Sequence, residues 1–226
     1  MDRSAEEKQQ NLSILLLTHF YPPEMGAAAA RCHGLARWLV RLGHQVTTLT
    51  GFPNYPSGNI PSEYRRKFRV SENRDGVKVV RTWVFATSHR SSIRRLLNYL
   101  SFLVSAIITG ISLRSSFDVI LVSSPPLFIG VAGSVLASAF RVPLVLDLRD
   151  LWPDVAIEAG AFTEKSFPVK WSRFLADFIY RRAAHLTPVT ESKLERLKAN
   201  GVEKERMTVV TNSVDFDKLN LSKEFE

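Results

Sequence analysis

From residue 12 to residue 211 the chain alternates short apolar runs with longer stretches whose apolar positions recur every three or four residues. The short runs predict strands over Ser13–Thr18, Val46–Thr50, Val77–Val84, Asp118–Val122, Pro143–Leu146, His185–Val189 and Met207–Val210. The periodic stretches predict helices over Ala27–Leu42, Ile93–Leu113, Leu127–Phe140, Phe167–Ala184 and Glu191–Asn200. Ile14 to Leu17 has no polar position, as expected of a central parallel strand covered on both faces. Val77 to Val84 alternates β-branched with basic residues and reads as nearer a sheet edge. Between Gly51 and Gly76 the pattern shows no element. Pro53, Pro56, Gly58 and Pro61 break it, and the basic cluster Arg65, Arg66, Lys67 and Arg69 follows. Connections of that length are often functional, and Phe52–Pro56 suits either a lid or a plain irregular loop.

Strand and helix in strict succession specify an α/β, doubly wound, mostly parallel sheet of Rossmann-like type. Residues 1–11 are polar, lack the basic-then-apolar order of a secretory signal, and read as a flexible tail.

Ile93–Leu113 is the ambiguous segment. Leu96 to Leu113 is eighteen residues without a charge, flanked by Arg94, Arg95 and Arg114. That is at the lower limit for crossing a bilayer. Asn98, Ser101, Ser105, Thr109 and Ser112 recur at helical spacing and form one polar stripe. The favoured expectation is a helix packed on the sheet with this narrow stripe outward. An interfacial helix whose arginines meet acidic head groups, at the inner leaflet, and a membrane span stay open.

The 226 residues carry a formal charge of +8, with 45% hydrophobic and 23% charged residues. This is the composition of an ordinary globular protein, and the charge favours anionic partners without choosing among them. Cys32 is the only cysteine, so an intramolecular disulfide is excluded and a reducing, cytoplasmic compartment is expected. Inside a helical pattern, Cys32 reads as a small core residue.

The chemistry gathers at strand ends. The run at Leu144–Leu146 stops abruptly in Asp147, Arg149 and Asp150, followed by Trp152 and Pro153. In a parallel α/β sheet ligands bind beyond the carboxyl ends of the strands, although a salt-bridged loop explains the same charges. The first strand opens onto Tyr21-Pro22-Pro23-Glu24-Met25-Gly26 and then a helix start at Ala27, with Arg31 one turn in. Unpaired N–H groups at a helix N-terminus suit a phosphate, yet any strand-to-helix turn needs small residues. The fourth predicted strand ends at Ser123-Ser124-Pro125-Pro126 before another helix. Three such turns at one edge favour a site. No G-x-G-x-x-G fingerprint is present, so a nicotinamide or flavin cofactor gains no support.

These residues resemble a family. Tyr-Pro-Pro-Glu-Met-Gly-Ala at Tyr21–Ala27, Asp-Leu-Arg-Asp-Leu-Trp-Pro at Asp147–Pro153 and Val-Val-Thr-Asn-Ser-Val-Asp at Val209–Asp215, in that order, resemble the N-terminal half of a family-4 glycosyltransferase of the two-Rossmann-domain type. The second motif resembles a subgroup acting on lipid-linked sugars in bacterial surface-polysaccharide assembly. Ala27 and Ser213 stand where the family often has glycine, and no histidine near Arg149 matches the usual catalytic one.

The resemblance implies an acceptor-binding domain over 12–211, a linker stub over 212–226, and a C-terminal donor domain carrying Glu-x7-Glu that this stretch does not contain. It implies retaining transfer of a hexose from a nucleotide-sugar to a lipid-linked or polysaccharide acceptor, and inactivity of this half alone. Asp150, Asp147 and Arg149 become the catalytic candidates, with Asp150 preferred for contact with the acceptor. Gly26, Ala27, Arg31 and Ser124 become candidates for binding the nucleotide-sugar. No metal and no cofactor are expected; the nucleotide-sugar is a co-substrate. A rival reading is a non-catalytic scaffold half that docks on a membrane partner through Ile93–Leu113. A nucleic-acid-binding protein is disfavoured by scattered arginines without stacking aromatics.

Overall fold

A computed structural model describes residues 10–88, 91–113, 116–158, 160 and 162–212. Most of the expected N-terminal tail, Arg114, the last three residues of the third motif (Ser213, Val214 and Asp215) and nearly all of the expected linker stub lie outside the described residues.

Among the described residues the strands are β1 (Ser13–Leu17), β2 (Gln45–Gly51), β3 (Arg69–Arg74), β4 (Val77–Thr82), β5 (Val119–Ser124), β6 (Leu144–Leu148) and β7 (His185–Pro188). They form one sheet in the order β3-β4-β2-β1-β5-β6-β7, parallel throughout except for the β3–β4 hairpin. The helices are α1 (Ala27–Arg41), α2 (Ser92–Ser112), α3 (Phe128–Phe140), α4 (Asp154–Glu158), α5 (Phe167–Arg182) and α6 (Glu191–Ala199). The strand order reverses direction at β1, which leaves a crevice beyond the carboxyl ends of β1 and β5.

The period-two geometry of β1 divides the core. Ile14 and Leu16 join Cys32 and Ala36 of α1, together with Val46, Val77 and Val79, on one face of the sheet. Leu15 and Leu17 point the other way. There they join Phe102 and Ala106 of α2, Ile129, Ala132 and Leu136 of α3, and Ala176 and Ile179 of α5. Glycines set the spacing in this second layer. A Cβ at Gly110 would lie 2.6 Å from Leu136, and one at Gly130 would lie 2.8 Å from Ile179. So α3 is drawn tightly against α2 on one side and α5 on the other.

Four expectations are corrected. The connection from Gly51 to Gly76 is not structureless: a 3-10 turn at Ser62–Tyr64 leads into β3, which takes the sheet edge and leaves β4 one place inside it. Charged and polar residues on β3 hid it, because an edge strand needs few apolar positions. Met207–Val210 is not a full strand; it makes a single bridge, Leu186 to Met207. The short helix α4 follows the Asp150 loop where no helix was expected.

The largest correction concerns α2, whose polar stripe faces inward. Asn98 is 0% exposed, and Ser105 and Thr109 are buried. Thr109 and Thr82 hydroxyls are 2.7 Å apart, and Ser105 Oγ donates to the Trp83 carbonyl at 2.5 Å. The polar groups turn in because β4 ends and its continuation at Trp83–Phe85 offers carbonyls that need donors. The apolar residues Ile93, Leu97, Val104, Ile108 and Ile111 are exposed.

Candidate functional site

The turns that follow β1, β5 and β6 converge at the carboxyl edge, and the convergence is held by side chains. Arg31, in the second turn of α1, lies across to β6: its Nη2 is 2.8 Å from Asp147 Oδ1, and its Nε is 3.4 Å from Oδ2. Ser123 Oγ, at the end of β5, donates to Asp147 Oδ2 at 3.0 Å. The remaining Arg31 nitrogen, Nη1, donates to Asn212 Oδ1 at 2.6 Å and to the Thr211 carbonyl at 3.4 Å. Asp147 is therefore buried, at 2% exposure, with partners on both oxygens. Two-point contact between a planar guanidinium and a carboxylate fixes orientation as well as charge.

This reassigns two roles expected from the sequence. Arg149 is not the partner of either aspartate. Among the described residues its side chain forms no ion pair, while its N–H donates to the Ser124 carbonyl at 3.1 Å and ties β6 to β5. Arg31 balances Asp147 instead, and Lys193 of α6 approaches Asp150, with Nζ 3.6 Å from Oδ1. Lys193 Nζ also donates to the Arg149 carbonyl. Asp150 remains 40% exposed along its side chain, in the turn that follows β6. Ser124 is buried at the tip of β5, and the neighbouring Ser123 reaches the charged pair.

Gly26 caps α1 with φ 140° and ψ 161°. This backbone favours glycine, and the side on which a Cβ would project is empty to 4 Å. No side chain caps the helix, and no acidic residue stands in its first turn. The first N–H groups of α1 and its positive dipole end are thus left without a side-chain cap, with Ala27 itself exposed.

Behind this loop lies a polar network that the sequence reading missed. Glu24 Oε1 accepts the Asn54 and Tyr55 N–H groups, each at 2.9 Å. Asn98 Nδ2 donates to the Phe85 carbonyl at 2.7 Å and to Asn54 Oδ1 at 3.3 Å, and Asn98 Oδ1 lies 2.8 Å from His19 Nε2. Burial pushes the Glu24 carboxyl above its ordinary range, against the downward pull of those two N–H groups and of Arg81. Glu24 Oε2 has no hydrogen-bond partner. One signal pointed here: an asparagine in an otherwise apolar helix demands a buried partner. Cys32 is buried as expected, accepts from Thr18 Oγ1 at 3.2 Å, and has its thiol pushed up by burial, so it is a poor nucleophile.

Among the described residues no three His, Cys, Asp or Glu side chains come together to hold a metal. Two surface hollows, of about 200 and 430 Å³, lie at the opposite, amino edge of the sheet, around Arg141 and Arg182 and around His44 and Lys78.

Comparison with known proteins bears on the family and the fold. The model of the glycosyl transferase 4-like domain matches residues 26–213. WcaI of Escherichia coli K12, assigned as a colanic acid biosynthesis glycosyl transferase, is 26% identical over 150 residues, covering 66% of this chain and 37% of WcaI. Among solved structures, sucrose-phosphate synthase of Thermosynechococcus elongatus superposes with a TM-score of 0.61 at 12% identity, over 91% of this chain and 49% of that one. HepE of Anabaena, in complex with UDP and glucose, gives 0.54 at 15% identity over 92% and 46%. The UDP-GlcNAc 2-epimerase of Methanocaldococcus jannaschii gives 0.52 at 16% over 88% and 45%. At such identities the structural likenesses show a shared fold. The chain spans less than half the length of each of these relatives. With the family model covering residues 26–213, from the glycine cap of α1 through Asn212 beside Arg31, the chain belongs to the glycosyl transferase 4-like domain family.

Proposed function

We propose that this chain is the acceptor-binding part of a retaining glycosyltransferase, which moves a hexose from a nucleotide-sugar to a lipid-linked or polysaccharide acceptor. The observation that carries the reading is that the Arg31–Asp147 pair ties α1, whose open N-terminus is capped by Gly26 alone, to the end of β6, two residues before the turn that holds the partly exposed carboxylate of Asp150. The N-terminus is suited to an anionic diphosphate and the carboxylate to a sugar hydroxyl. Family membership and the nucleotide complex of HepE support the same chemistry.

In this reading the transferred sugar leaves its diphosphate as positive charge develops on the ring. The N–H groups of the first turn of α1 face the departing oxygens and stabilise them without reorganising. Asp150 accepts the hydrogen bond of the incoming hydroxyl and takes its proton as the new glycosidic bond forms. Lys193, with Nζ 3.6 Å from Oδ1, orients Asp150. Asp147 and Arg31 act at one remove, holding β6 and α1 at the spacing the two reacting groups need. Most contacts to the nucleotide would come from a second Rossmann domain, so residues 12–211 by themselves do not transfer sugar.

A radiolabelled sugar-nucleotide assay with a polyprenyl-diphosphate-sugar acceptor tests this. The isolated chain gives no product, and a two-domain protein containing it does. Turnover by the isolated chain would refute the division of labour; a two-domain protein that is inert toward every nucleotide-sugar would refute the reaction.

A further inference from the structure

We infer that the outer surface of the α2–α3–α5 layer is a docking face for an anionic lipid bilayer, on which the domain rests without crossing it. The starting point is the inversion of α2. Asn98, Ser105 and Thr109 are turned into the protein, and its outward line is Ile93, Leu97, Val104, Ile108 and Ile111. A soluble helix on a sheet normally shows the opposite arrangement.

A second helix of the same layer carries the same signature independently. On α5, Phe167, Trp171, Phe174 and Phe178 recur at spacings of four, three and four, and all are exposed, Phe167 at 80% and Phe174 at 63%. The Trp171 and Phe174 rings stack at 5.9 Å. The face opposite this stripe, with Val169, Ala176 and Ile179, is the one that packs into the core. Because α3 is drawn against both helices through Gly110 and Gly130, the two stripes belong to one surface.

The charges around this surface choose the occupant. α2 contains no acidic residue. Arg94 and Arg95 stand in its first turn, where the helix dipole disfavours cations, and among the described residues neither forms an ion pair, so they do not serve the helix. At the other end Arg69 Nη1 donates to Ser112 Oγ at 2.8 Å and places a third guanidinium there. Lys170, Arg181 and Arg182 edge the aromatic stripe of α5, against one exposed acid on that helix, Asp177. Aromatic and aliphatic side chains rimmed by cations are what a monolayer of anionic head groups accepts. A protein partner would need acidic residues to match this rim around an equally broad apolar centre.

A span is excluded by the inward stripe. Asn98, Ser105 and Thr109 are bonded to Phe85, Trp83 and Thr82, and withdrawing α2 into lipid would leave these groups unpaired.

The inference does not depend on the transfer reaction, and vesicle binding tests it without enzyme activity. The chain is sedimented with phosphatidylcholine vesicles with and without phosphatidylglycerol. Four variants are compared once circular dichroism and melting confirm their folds: Val104→Ser with Ile108→Ser, Phe174→Ser with Phe178→Ser, Arg94→Glu with Arg95→Glu, and Trp38→Ser on the opposite layer. The wild type binds the anionic vesicles. Each of the first three variants weakens binding by at least about tenfold, and Trp38→Ser leaves it unchanged. Absence of wild-type binding overturns the inference. So does binding that the Trp38 change weakens and the other three do not. A concentration-dependent dimer that the α2 or α5 serine variants dissolve, with no vesicle binding, assigns the surface to self-association instead.

Discussion

Arg31 and Asp147, 116 positions apart in sequence, form an ion pair with Nη2 and Oδ1 2.8 Å apart, the aspartate buried and the arginine partly so, and this pair locks α1 to the tip of β6. The two motifs that the sequence presents as separate turns are therefore one mechanical unit. The pair also separates the two aspartates by role: Asp147 is enclosed and paired, and Asp150 is exposed.

The first prediction follows from that separation. Asp147→Asn should lower unfolding free energy by about 2 kcal/mol, because it removes the buried charge that Arg31 and Ser123 both bond. Asp150→Asn should change it by less than about 1 kcal/mol, as expected for a half-exposed pair at 3.6 Å. Urea titration of the two variants checks the contrast, and equal losses would contradict the division.

Activity should sort the same residues in the opposite order. In a two-domain protein containing this chain, Asp150→Asn should cut turnover about 10²-fold, the lower range for an acid–base group, with little change in stability. Steady-state turnover on the lipid-linked acceptor measures it. Wild-type turnover would remove Asp150 from the chemistry.

Glu24 predicts a pH dependence. Burial raises its folded-state pKa above the ordinary 4.5, so the folded chain holds this proton more tightly than the unfolded chain. Its contribution therefore favours the folded state below pH 4.5 and is lost as pH rises through the raised value. Glu24→Gln keeps an acceptor for the Asn54 and Tyr55 N–H groups and removes the titration. The melting temperature of the wild type relative to Glu24→Gln should fall from about pH 4 to about pH 7. A difference that is flat with pH would show that burial does not dominate.

The inversion of α2 predicts an unusual mutational pattern. Asn98→Ala should cost about 1–3 kcal/mol, since it strands the Phe85 carbonyl and a ring nitrogen of His19. Val104→Ser, an apolar-to-polar change in the same helix, should fall within about 0.5 kcal/mol because the side chain is exposed. Thermal unfolding of both variants would expose the opposite order if the stripe faced solvent.

Strand and helix periods, the glycine before α1 and the charged end of β6 were legible in the sequence because each is a local property: alternation, a backbone conformation, a break in an apolar run. They sufficed for a parallel α/β sheet and for the edge at which side chains of α1, β5 and β6 meet. The tertiary structure decided everything that depends on who meets whom. Arg31 rather than Arg149 balances Asp147, since a parallel sheet places the first turns of α1 beside β6 only after the chain has crossed over. β3 was invisible because an edge strand is stabilised by one neighbour's hydrogen bonds more than by its own apolar content. The direction of the polar stripe on α2 could not be read from spacing, because periodicity fixes which residues share a face and not which way that face turns. Carbonyls at the end of β4, with no strand left to bond, turned it inward.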